Sequence, residues 1–174
     1  MRLFYASLLA LSAPVAAFAA GGDETAPPKP KVSCEAGQVY DKKTKSCVMA
    51  SNESLTPDDL YQTVRSLAYA GRYADAQTVL AQMPQDDDRT LTYLGFTHRK
   101  MGNDGVSMAF YAQAVQQNPA NILARSYMGQ GMVEKGNIAD AIAELRAIRD
   151  HGGAGTWAEA SLKTAIATGK TFNY

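Results

Sequence analysis

Two histidines and two cysteines are all that 174 residues supply of the side chains most used in metal ligation and nucleophilic catalysis. His98 and His151 form no zinc-spaced cluster with cysteine. No G-x-S-x-G nucleophile turn and no H-E-x-x-H occurs. Strand-like sequence is so sparse that a phosphate-cradling glycine loop has nothing to follow. Charge of one sign is also missing: 17 basic residues balance 17 acidic ones. That excludes the basic stripe of a nucleic-acid binder and any charged tail. Beyond the first 19 residues no apolar run approaches the roughly 20 residues a membrane helix needs. The expectation is a protein that is not an enzyme and needs no cofactor and no metal.

What is present begins with an address. Met1-Arg2 is a short positive start, and Leu3 to Phe18 is apolar and rich in Leu and Ala. Ala17-Phe18-Ala19 places small residues for cleavage before Ala20. This is the pattern of a secretory signal peptide over residues 1–19, and the run is too short for a comfortable anchor. No cysteine sits at the cleavage point, which speaks against a lipid anchor. The expected location is periplasmic or secreted, with a bacterial envelope favoured, and no membrane insertion after processing. Residues 20–32, with Gly21-Gly22, Pro27-Pro28 and Pro30, have linker composition.

Cys34 and Cys47 follow at once. An even pair in an exported chain reads as one disulfide. A redox pair needs C-x-x-C spacing, which these two lack. Gln38-Val39-Tyr40 and Ser46-Cys47-Val48 suggest short strands around the polar turn Asp41 to Lys45, so residues 33–49 read as a disulfide-closed hairpin. Residues 50–56 are a second linker.

Helical periodicity then takes over. Thr56-Pro57-Asp58-Asp59 is a strong start signal, with Leu60, Val64, Leu67 and Ala68 on one face. A second helix runs from about Tyr73 to Met83, with Ala76, Val79, Leu80 and Met83 inward, and Pro84 stops it. Asp86-Asp87-Asp88 can be read as hard-cation ligands or as helix-start charge, and the second reading is favoured. The next pair spans about 88–101 and 105–117. Its inward sets are Leu91, Leu94, Gly95 and His98, then Met108, Ala109, Tyr111, Ala112 and Val115. A third pair spans about 121–135 and 138–150, the latter patterned by Ile138, Ala141, Ile142, Leu145 and Ile148. His151 sits at that helix's C-terminus, where it complements the dipole. Thr156 and Glu159 suggest a capping box for a final helix over 156–168, with Trp157, Ala160, Leu162 and Ile166 inward.

Gly71, Gly102 and Gly136 each end one helical run and open another, 31 and 34 residues apart. That period means stacked helical hairpins. The middle unit, residues 88–121, resembles the tetratricopeptide repeat family. Leu91 stands for the usual first Trp, and Leu94-Gly95, Tyr111, Ala114 and Pro119 match the pattern. His98 and Ser107 replace a typical Tyr and Ala. The third unit is similar through Met128-Gly129, Gly136, Ala141 and Leu145, with Gly153 in place of the final Pro. The first is similar through Gly71, Tyr73, Ala76 and Leu80. Small residues at Gly95, Gly129, Ala76, Ala114 and Ala141 suit close helix crossings, with aromatics filling the space between layers.

The resemblance implies an all-α fold. It would be a right-handed superhelix of three hairpins, residues 57–87, 88–121 and 122–153, with a C-terminal capping helix, forming a domain of residues 57–169. It places His98 between packed helices. It also implies a concave groove lined by the first helix of each pair, which here presents Tyr61, Arg65, Tyr69, Arg89, Thr92, Phe96, Arg99, Lys100, Ser126, Tyr127 and Gln130. Family members that grip a terminal carboxylate do so with a Lys and Asn arrangement that this sequence lacks. Arginines with tyrosines suit an extended protein or peptide partner with some acidic and apolar character. The second reading is a structural or self-associating envelope protein, a homo-oligomer docked through Trp157 or Phe172-Asn173-Tyr174 with the repeats as spacer.

Overall fold

Four glycines with left-handed backbone set the rhythm of the chain. Gly71, Gly102, Gly136 and Gly152 have φ of 75°, 82°, 78° and 83°. At the first, the Gly71 amide donates to the Ala68 carbonyl and Arg72 N–H to the Leu67 carbonyl. The same pair of bonds recurs at Gly102, Gly136 and Gly152. Each is a Schellman turn, which satisfies the last carbonyls of one helix and reverses the chain toward the next.

The computed structural model describes residues 32–172. The signal pattern and nearly all of the first linker lie outside the described residues, as do Asn173 and Tyr174. Strands β1 (Gln38–Asp41) and β2 (Ser46–Met49) pair antiparallel, Val39 opposite Val48 and Tyr40 opposite Cys47. The Cys34–Cys47 disulfide is formed. Seven helices follow: α1 (Pro57–Tyr69), α2 (Tyr73–Leu80), α3 (Asp88–Lys100), α4 (Asp104–Gln117), α5 (Ile122–Glu134), α6 (Ile138–Asp150) and α7 (Trp157–Thr168).

The start signals act as their chemistry requires. Thr56 Oγ1 accepts from the Asp59 amide at 3.2 Å, and Asp59 accepts from Thr56 N–H at 3.1 Å, completing a capping box. Asp87 Oδ1 accepts from the amides of Arg89 and Thr90, so the acidic run caps α3. Thr156 caps α7, but the Glu159 carboxylate does not return to it. It accepts from Gly155 N–H at 2.8 Å and pairs with Arg149 instead.

Helices α1 and α2, α3 and α4, and α5 and α6 pack as hairpins. Further contacts join α2 to α3, α4 to α5 and α6 to α7, while the odd helices touch in series, α1 to α3 to α5 to α7. Two layers result, and each unit contacts chiefly its neighbours, as in a helical repeat. Ala76, Val79, Leu80 and Met83 of the first hairpin are buried as their spacing predicts. Helix α4 buries Tyr111 and packs Met108 and Val115 half-buried against the core, as read, whereas Ala109 and Ala112 are exposed and Ser107 and Ala114 are buried in their place. Gly95 makes room for Tyr111. A Cβ there would lie 2.6 Å from the Tyr111 ring, so α4 turns Tyr111 into that gap. Ile138, read as inward, is exposed, and so is Ala160.

The hairpin is joined to the stack. Val39 and Ala50 belong to the same apolar cluster as Leu60 and Val64. Asp41 accepts from Lys43 N–H at 2.7 Å and from Ser54 Oγ at 2.9 Å, which folds residues 50–56 into hydrogen-bonded turns. Arg72 donates to the Cys34 carbonyl while holding Asp75 at 2.6 Å.

Candidate functional site

Helix spacing of aromatics along the odd helices builds one continuous run. Tyr61 of α1 meets Tyr93 of α3 edge-on at 5.7 Å, Tyr93 lies 6.4 Å from Tyr127 of α5, and Tyr127 lies 6.1 Å from Trp157 of α7. Phe96 sits 4.8 Å from Tyr127 and 6.1 Å from Tyr73. Edge-to-face contacts of this kind add to what burial alone contributes.

The eleven residues expected to line a groove divide in two. Thr92, Phe96, Arg99, Ser126, Tyr127 and Gln130 are buried. This departs from the reading, in which they present themselves to a ligand. A Cβ built on Gly129 would lie 2.7 Å from the Leu162 side chain of α7, and one built on Gly131 3.2 Å from Arg99 Cδ of α3, so α5 stands close to both neighbouring odd helices. Tyr61, Arg65, Arg89 and Lys100 are half-buried and Tyr69 is exposed.

Cations surround the aromatic run. The Arg89 guanidinium lies 4.9 Å from the Tyr61 ring centre and that of Arg65 5.9 Å. Arg99 is 5.9 Å and the Lys100 ammonium 5.7 Å from the Phe96 ring. Each distance is within cation–π reach. Burial pushes the Lys100 ammonium down to about 8, with the Arg99 charge acting the same way and Glu134 opposing. Arg89 is held above its ordinary value by its hydrogen bond to Asp87, against the effect of burial.

Beside Tyr61 and Arg89 lies a polar depression of about 240 Å³, walled by Asp88, Thr92, Asn118 and Asn121. Asn121 Oδ1 accepts from Ala124 N–H as the cap of α5, and its Nδ2 donates to Asp88 Oδ2 at 2.8 Å and Thr92 Oγ1 at 3.0 Å. Asn118 Nδ2 also donates to Asp88, at 2.8 Å. This network locks the start of α5 to the start of α3. Asn121 after Asn118-Pro119 is readable as a cap, but its bond to Asp88 crosses 33 residues and carries no local signal.

At the other end, Gln130 and Glu134 form a ledge one helical turn apart on α5. Gln130 Nε2 donates to Ser126 Oγ at 3.3 Å, and that hydroxyl pairs with Ser161 Oγ of α7 at 3.0 Å. This leaves Gln130 Oε1 as a fixed acceptor. Glu134 accepts from the buried Arg99 at 3.0 Å. Helix-face reasoning does not find Glu134, because its partner Arg99 lies on another helix. His98 stacks on Phe110 at 5.5 Å and contacts Asn103 Nδ2 at 3.3 Å, a packing role. Away from this face, a cleft of about 430 Å³ separates the hairpin from α1, with Tyr40 and Leu67 on its walls and Lys42, Asp59 and Arg72 at its rim. Comparison with protein-family models, curated proteins and solved structures finds no match.

Proposed function

We propose that this protein is an exported scaffold of tetratricopeptide type that holds a protein or peptide segment against the face of α1, α3 and α5. The observation carrying the reading is the aromatic run edged by Arg65, Arg89 and Lys100 beside fixed hydrogen-bonding groups. The four recurring Schellman turns and the nearest-neighbour helix contacts support the repeat assignment. The N-terminal signal pattern supports export. Cations over aromatic rings favour carboxylates flanked by apolar groups. The partner is accordingly an extended segment carrying both.

The test is binding of labelled peptides that alternate Asp or Glu with aromatic residues. Changing Arg65, Arg89 and Lys100 together to Gln removes three charges from side chains that are not fully buried. Affinity is expected to fall at least tenfold, with the unfolding midpoint held within a few degrees. Unchanged affinity in that variant overturns the reading.

A further inference from the structure

We infer that the Gln130–Glu134 ledge reads an extended peptide segment through a hydroxyl donor followed by a main-chain amide, and that this chain's own Thr171-Phe172 fills it until a partner displaces them. The inference rests on the peptide-binding reading above and names its occupant.

Gly169 closes α7 in the left-handed conformation, φ 71°, and the chain leaves the helix there. Residues 170–172 then run back to α5. Thr171 Oγ1 donates to Glu134 Oε1 at 2.6 Å. Phe172 N–H donates to Gln130 Oε1 at 2.7 Å. These bonds join residues 37 and 42 positions apart, so they report tertiary docking of the tail and not a local turn.

The acceptor on α5 is prepared for such a donor. Gln130 is fully buried, and its amide nitrogen is committed to Ser126, which is itself held by Ser161. The remaining oxygen points at the tail's backbone. A buried side-chain amide that accepts from a main-chain N–H is indifferent to the identity of that residue, which is how extended segments are gripped in β-type peptide recognition. The second acceptor, Glu134, is charged and shared with Arg99, which favours a hydroxyl or another strong donor at the preceding position. Arg99 Nε and Nη2 are buried with no hydrogen-bond partner among the described residues. Its Nη1 holds the Glu134 carboxylate at 3.0 Å beside the tail. Thr171 and Phe172 are half-buried, a degree of cover that a competing segment can replace.

Two variants of the full chain test this without touching the core. Phe172→Pro removes the donating amide, and Thr171→Val removes the hydroxyl. The probe is a fluorescent synthetic peptide of residues 169–174, Gly-Lys-Thr-Phe-Asn-Tyr. One neutral hydrogen bond is worth roughly fivefold in an equilibrium, and the Thr171 bond reaches a charged acceptor. The double variant is therefore expected to bind the probe at least tenfold more tightly than the parent. In the parent the Phe172 amide is expected to exchange with solvent at least fivefold more slowly than an unstructured amide.

Exchange of that amide at the unstructured rate overturns the strap. Equal probe affinity for parent and double variant overturns the competition. The acidic–aromatic peptides separate this from the wider reading. If they bind both proteins equally while the probe binds neither, the ledge inference fails and the scaffold reading stands. If they bind neither protein, the scaffold reading fails with it.

Discussion

Replacing Gly95 by Ala puts the close crossing of α3 and α4 to a quantitative test. Two effects of opposite sign compete. Alanine in a helix interior is favoured over glycine by about 0.8–1.0 kcal/mol. Against that, the new Cβ would stand 2.6 Å from both Cδ1 and Cε1 of Tyr111 and 3.0 Å from its Cγ. The ring must retreat by roughly 1 Å to regain ordinary contact. Tyr111 is fully buried, so the retreat displaces close-packed neighbours. Overpacking of this kind costs about 1–3 kcal/mol. A full ring shift belongs in the upper half of that range, which leaves a net loss of about 1–2 kcal/mol.

Urea unfolding followed by helical circular dichroism, with the disulfide intact, reads the difference. Gly105→Ala is the control, because Gly105 lies in α4 with ordinary backbone and nothing within 4 Å of the point its new methyl would occupy. It should gain about 0.5 kcal/mol, the low end for a helix start. Combining Gly95→Ala with Tyr111→Leu should recover most of the loss, a coupling of about 1 kcal/mol for residues in contact. If Gly95→Ala stabilises as Gly105→Ala does, Gly95 is not the crossing point and the two-layer packing is wrong there.

Three further outcomes follow from the same contacts. Glu134→Gln leaves the buried Arg99 guanidinium without its carboxylate; discounted for the partial exposure of Glu134, the loss is about 1–3 kcal/mol by urea unfolding, and a change under 0.5 kcal/mol would sink the pairing. Backbone and hydroxyl donors hold Asp41 and Asp59 below their ordinary 3.8, and the Gly155 amide with the Arg149 guanidinium holds Glu159 below 4.5, so the stability they give is complete above those values and disappears as pH falls through the lower folded-state values; a thermal midpoint flat from pH 5 to 2 contradicts this. Lys100 releases its proton near 8 when folded and near 10.5 when unfolded, so the unfolded chain binds more protons in between and stability rises as pH climbs above 8, a rise that Lys100→Met abolishes. Tyr111, pushed up to about 12 by burial, reverses the trend once pH passes 10.

Local chemistry made much of this molecule readable. The helix-ending glycines were legible because a left-handed residue after an amphipathic run is a backbone requirement that glycine meets best. Thr56 was legible for the same kind of reason, since its donor and acceptor lie three residues apart. The face of α4 was legible at Tyr111, Met108 and Val115 but not at its small residues. Ser107, Ala109, Ala112 and Ala114 are all small, and hydropathy does not rank them; the gap above Gly95 does. The Glu159 carboxylate likewise had two suitors, and Arg149 with the Gly155 amide prevailed over Thr156 N–H. The burial of Phe96, Tyr127 and Gln130 depends on how near α3, α5 and α7 approach, a distance invisible in any one helix.

On the proposed scaffold reading, that burial decides where recognition would reside. A buried aromatic floor stiffens the face but discriminates no ligand, because its rings are already spent on one another. Selectivity would then pass to the rim, where Arg65, Arg89 and Lys100 stay half-exposed, and to the ledge, where Gln130 and Glu134 aim fixed acceptors. The two act on different features of a partner. Rim cations respond to carboxylates and are screened by salt, with a Debye length of about 8 Å at physiological ionic strength. The Gln130 acceptor responds to backbone geometry and is nearly indifferent to salt. Affinity for an extended acidic segment should therefore fall with added salt to a plateau set by the ledge and not to zero. Raising pH past 8 should lower the salt-sensitive part alone, as Lys100 gives up its charge.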